Sequence, residues 1–178
     1  MKRKFTLVVL SAVVMILLAG CSSGGSTQST STTEQKPKVD ITKMTAGEIV
    51  KTFQDAGFPI GSVTVYTAET DENSLLGRPN QYTSKAKFTD TRTSEPAAGS
   101  ATENTAGGTI EVFNNAEDAQ ARYDYIEPIT KNSMFSQYLY LYKNVFLRID
   151  GALTPDQAAQ YEAAFKSLQN GNLPDQFK

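Results

Sequence analysis

The segment QYLYLYKNVFLRID, residues 137–150, constrains the fold more than any other part of the chain. It reads as two strands joined at Lys143 and Asn144. A two-residue turn sets the register, with Tyr142 opposite Val145, Tyr140 opposite Leu147 and Tyr138 opposite Ile149. Side chains alternate along a strand, so these six share one face, and Leu139, Leu141 and Phe146 share the other with Arg148. Both faces are apolar. Either helices cover one side and a loop or helix the other, or the row Tyr138, Tyr140, Tyr142 stays partly exposed as a binding platform, because tyrosine gives large contact area at low entropic cost.

Three helices are marked by their ends. Thr45-Ala-Gly-Glu48 is a capping box, Ile49, Val50, Phe53 and Ala56 follow on one face, and Gly57 with Pro59 stops the helix. A second helix starts near Asn115, with Glu117 and Asp118 in its positively polarised first turn and Ala119, Tyr123 and Ile126 as its buried stripe. Pro128 is expected to kink or end it. The third has Thr154 as cap, Pro155 at the first helical position and Gln157 closing the box, followed by Ala158, Tyr161, Phe165 and Leu168. Between helices, period-two alternation predicts strands. Val63, Val65 and Thr67 share a face, Ser84, Ala86 and Phe88 oppose Lys85 and Lys87, and Ile110 and Val112 oppose Glu111. The order α, β, β, β, α, β, β, α implies an α+β fold, a four- to five-stranded mostly antiparallel sheet with about three packed helices. The stretch TRTSEPAAGSATENTAGG between the second and third strands lacks periodic apolar residues and is expected to be a mobile loop.

The N-terminus removes residues from the fold. Lys2, Arg3 and Lys4 precede a nearly unbroken apolar run over residues 5–18, with small residues at Ala19 and Gly20. This is the pattern of a secretory signal, and the run is short of the roughly 20 residues of a membrane span. Leu18-Ala19-Gly20-Cys21 resembles the lipobox of bacterial lipoproteins. The resemblance implies cleavage before Cys21, acylation of that cysteine, and anchoring in the cell membrane on its extracytoplasmic face. Cys21 is the only cysteine, so no disulfide can form within the chain. Two acyl chains hold a protein on a bilayer where one gives marginal binding. Residues 22–38 are mostly Ser, Thr, Gly and Gln, which read as a tether. About 20 such residues reach near 25 Å. The expected organisation is signal peptide 1–20, lipidated cysteine and tether 21–43, and one globular domain 44–170.

Composition narrows the function. Without the signal the 17 basic residues fall to 14 against 19 acidic ones, a mildly acidic chain at −5 with no clustered basic face for nucleic acid. There is no histidine, so every histidine-based triad, acid–base pair and metal site is excluded, and acylation of Cys21 leaves no thiol nucleophile. Carboxylates are the remaining metal ligands, and their spacing forms no calcium loop. Neither a phosphate loop nor a nucleophile elbow is present. No cofactor or metal is expected, and Glu69, Asp71 and Glu72 are expected to be solvated turn residues.

The stretch LLGRPNQYTSKAKFTD, residues 75–90, holds the least generic chemistry. Leu75 and Leu76 are expected to dip into the core, Gly77 to take a backbone angle other residues resist, and Arg78 to be extended before Pro79. Arg78 either pairs with a nearby acid to fix the loop, or joins Lys85, Lys87 and Arg92 beside Tyr82 as a cationic patch for phosphate or carboxylate. The segments LGRPNQYTSK and LTPDQAAQYEAA resemble a family of small surface lipoproteins of Gram-positive bacteria, a resemblance that brings no activity with it. The expected function is a lipid-anchored cell-surface binding or accessory module and not an enzyme, with an envelope protein or anionic wall polymer as partner. An envelope enzyme using carboxylate, lysine or serine, and an inhibitor-like domain that plugs a partner's cleft, are the alternatives.

Overall fold

A computed structural model describes residues 38–93 and 106–178, so Cys21 and residues 94–105 of the insert lie outside the described residues. Those described fall in one compact unit. The elements are α1 (Ala46–Asp55), β1 (Ile60–Val65), β2 (Ser84–Asp90), β3 (Gly107–Val112), α2 (Ala116–Thr130), β4 (Gln137–Tyr142), β5 (Val145–Asp150) and α3 (Pro155–Gln169), with 3-10 turns at Ile41–Lys43 and Ser133–Phe135. The fold is α+β in the expected order. All five strands pair antiparallel in the order β1-β2-β3-β5-β4.

Local chemistry accounts for the element ends. The Thr45 and Thr154 capping boxes are both formed, and Asn115 caps α2 by accepting from the Asp118 amide at 2.8 Å. The hairpin register is that set by a two-residue turn, with Lys143 at φ 49 in the left-handed region. Helix α2 runs two residues past Pro128. The proline lies in the last turn with its side chain and Asp124 both exposed, so water can meet the carbonyl that a proline leaves without a donor.

The helices α1 and α3 cover one face of the sheet. Ala86, Phe88, Ile110, Leu147 and Ile149 point from the strands into Ile49, Phe53, Tyr161, Phe165 and Leu168. Tyr161 lies 5.9 Å from Phe53 and 5.3 Å from Phe88, ring centre to ring centre. Burying each such ring contributes about 1.5–3 kcal/mol.

Three boundaries differ from expectation. Strand β3 begins at Gly107, inside the stretch assigned to the loop. A Cβ on Gly107 would stand 2.0 Å from the Phe88 carbonyl oxygen, and one on Gly108 2.4 Å from the Phe88 ring, so the close approach of β2 requires both glycines. The packed domain also takes in residues assigned to the tether. Ile41 is in the core, Lys38 bridges Asn172, and the Val39 amide donates to the Gly171 carbonyl. Beyond residue 170, Phe177 packs 4.9 Å from Phe58 and its amide donates to Ala56. Among the described residues, no helix is long and apolar enough to cross a membrane.

Candidate functional site

The second face of the sheet is divided. Its half nearest the β4–β5 turn is filled by Tyr82 and Phe113, by Phe146 from β5, and by Ala119 and Ile126 from α2, with Leu75 and Leu76 packed beside them. Both leucines dip inward as expected. Gly77 at φ 79 lets the loop fold back, its amide donating to the Tyr82 carbonyl. The other half is open, and over it lies a cleft of about 760 Å³ between α2 and the β1–β2 loop.

Strand register explains why a hollow forms there. Lys87 of β2 faces Thr109 of β3, which faces Arg148 of β5. Successive strands are about 4.8 Å apart, so the backbones of Lys87 and Arg148 stand about 10 Å from each other across a small side chain. One step along the same face, Thr89 faces Gly107, which has no side chain. Small residues on the central strand therefore make a trough between basic walls. Tyr66 and Glu72 border it from the loop, Arg122 and the largely exposed Tyr125 from α2.

Buried charge fixes the floor. Glu111 is fully buried and accepts from Arg122 Nε at 3.1 Å, Arg122 Nη2 at 3.2 Å and Arg148 Nη2 at 3.0 Å. Two guanidinium groups on one carboxylate leave one positive charge in excess. Arg148 is also short of acceptors, since its Nη1 reaches Gln137 only at 3.5 Å and its buried Nε has no partner among the described residues.

Beside this cluster, Lys85 Nζ donates to Asp71 Oδ1 at 2.7 Å, with both residues 4% exposed. Asp71 Oδ2 accepts from the Tyr82 hydroxyl at 2.7 Å and from the amides of Leu75 and Leu76. Burial alone would raise the Asp71 carboxyl, but the bonds from Lys85, Tyr82 and the two amides outweigh it and hold the group well below the usual carboxylate range. Burial, and then the bond to Asp71, push the Tyr82 phenol up. Asp71 is thus a correction to the reading of residues 69–72 as solvated, because its carboxylate is the anchor around which the loop folds.

The proposed cationic patch is divided by the fold. Arg78 is exposed and makes no ion pair among the described residues. Tyr82 is fully buried, and Lys85 is spent on Asp71. Arg92 belongs to the opposite face, donating to Asp90 with Nη2 at 2.7 Å and to Gln160 of α3. Lys87 alone of that group reaches the cleft half-exposed, and no partner is recorded for it among the described residues. The tyrosine row lies along α3 and is half-buried against the main core. The Tyr138 hydroxyl donates to the Leu153 carbonyl at 3.2 Å and that of Tyr142 to the Gln169 carbonyl at 3.4 Å, so two members of the row are tied down while all three stay half-buried.

Sequence reasoning missed Arg122, Glu111, Arg148 and Thr109 as a group. The available signal was the charge at Lys85, Glu111 and Arg148, each interrupting the apolar pattern of a strand. With these positions in place, comparison with known proteins adds nothing further, as no family model, curated protein or solved structure matches the chain.

Proposed function

We propose that this chain is a lipid-anchored binding module of the cell surface, and that the cleft above Thr109 is its ligand site. The observation that carries this reading is the half-open second face, where a cleft of about 760 Å³ is lined mainly by polar side chains. Ligand sites commonly fall between about 300 and 1,000 Å³ and are formed before the ligand arrives. Here Glu111, Asp71 and the helix α2 fix the walls in advance, which limits the ordering cost of binding. The lipobox at Cys21 supplies the anchor in this reading.

Catalysis draws less support. A general acid needs a carboxyl held above its usual range, whereas Asp71 and Asp90 are both pushed the other way. Their oxygens are also saturated by fixed donors.

Two measurements on the full chain test the reading. Metabolic labelling with palmitate should mark the wild type and not Cys21→Ser, and labelling of both would remove the anchor. Detergent-solubilised protein should be retained by isolated envelope fragments, and Thr109→Tyr, which fills the trough, should release it. Equal retention of both would place the ligand elsewhere.

A further inference from the structure

Resting on the cleft as ligand site, we propose that its ligand is an acidic carbohydrate: a polyhydroxylated chain whose carboxylate or phosphate sits between Lys87 and Arg148. Two cations of the cleft, Lys87 and Arg148, have donor capacity left. Arg148 makes one short hydrogen bond, to Glu111, and Lys87 makes none that is recorded among the described residues. Three acids also line the cleft, Glu72, Asp118 and Asp150, and they keep their charge. Asp118 accepts from the Asn115 side chain at 2.8 Å and Asp150 from the Ala152 amide at 2.9 Å, neutral donors that occupy one oxygen each. An oxyanion above Thr109 meets Lys87 and the one positive charge that Glu111 leaves uncompensated on Arg122 and Arg148, against the negative charges of Glu72, Asp118 and Asp150 elsewhere in the lining.

The rest of the lining selects the body of the ligand. Asn80 and Gln81 present amides that both donate and accept, which suits hydroxyl groups in any orientation, and Asn73 and Gln137 add what their bonds to Tyr82 and Arg148 leave over. Tyr125 offers an exposed ring at the rim, and a sugar's apolar face can lie on it. A long apolar ligand finds little to match in these walls.

Isothermal titration of the full chain in detergent micelles at low salt, with trigalacturonate, a glycerol phosphate oligomer and maltotriose, tests the assignment. An anionic probe should bind at least about tenfold more tightly than neutral maltotriose, as expected for a charged hydrogen bond. Whether the carboxylate or the phosphate probe is preferred then separates the two sources of the anion. Lys87→Gln should weaken that probe about fivefold and Arg148→Gln more, while added salt weakens it further. Lys87 is half-exposed, so its variant folds even if Arg148→Gln does not. Equal binding of maltotriose, lost in Thr109→Tyr and unchanged in Lys87→Gln, would overturn the acidic ligand and leave the cleft as the site. Binding that ignores Thr109→Tyr would overturn both. Failure of all three probes, with envelope retention still sensitive to Thr109→Tyr, would overturn the carbohydrate assignment alone.

Discussion

Each face of the sheet buries one aspartate that is held by a tyrosine hydroxyl and a cation. On the α1 and α3 face, Asp90 accepts from Tyr161 at 2.7 Å and from Arg92 at 2.7 Å. On the other face, Asp71 accepts from Tyr82 and Lys85 at the same distances. The chemistry is shared and the setting is not. Asp90 lies at the end of β2 under a helix that completes the core, and Arg92 beside it keeps about a fifth of its side chain in water. Asp71 comes from a loop and sits where packing stops and the cleft begins, with a lysine that has almost no water. One cluster closes a core, while the other defines the edge of a hollow.

The largest effect expected from breaking this pair is at Asp71. Asp71→Ala leaves Lys85 buried without an anion and should destabilise the fold by about 3–5 kcal/mol, read from the urea midpoint. A loss under about 1 kcal/mol would mean that Lys85 turns into the cleft and rehydrates. Asp90→Ala should cost less, about 1–3 kcal/mol, because the Tyr161 hydroxyl loses its acceptor while Arg92 can turn to solvent. The reverse order would make the core cluster the stricter of the two.

Acid sharpens the same comparison. Burial alone would raise Asp90 as well, but Arg92 and Tyr161 hold its carboxyl below the usual range, as Lys85 and Tyr82 do for Asp71. Both folded values lie below the unfolded one of about 3.9, so this stability is complete above that pH. It should be lost as the pH falls from there toward the folded values. Unfolding free energy measured from pH 7 to pH 3 should decline in the wild type and more gently in Asp71→Asn, which has no carboxylate to protonate. The smallest effect belongs to Lys87→Gln, whose stability should stay within about 0.5 kcal/mol of wild type by thermal melting.

The helix caps at Thr45, Asn115 and Thr154, the hairpin register and the buried stripes were legible because each depends on residues a few positions apart. The cleft was not, for a physical reason. Lys87, Thr109 and Arg148 meet through two strand pairings that link residues tens of positions apart, and alternation says which face a residue takes without saying which strand lies beside it. Asp71 was misread for a related reason. Its acceptors are filled by Leu75, Leu76, Tyr82 and Lys85, a set that exists only after the loop has folded back on β2. The glycines at 107 and 108 looked like the end of a flexible stretch, yet they stand in β3 where a side chain would collide with Phe88 of β2.

The bridge between Lys38 and Asn172 has a mechanical consequence. Helix α3 returns from the far end of β5 to the hairpin turn, where Gln169 meets Tyr142, and Asn144 in that turn donates to Thr42. The chain thus enters beside the hairpin turn, whereas Gly107 and Thr109 lie toward the opposite end of the strands. A load applied between residue 38 and a molecule held in the trough would therefore fall first on the few bonds that tie residues 38–42 to Gly171, Asn172 and Asn144, and the sheet would feel it only after they part.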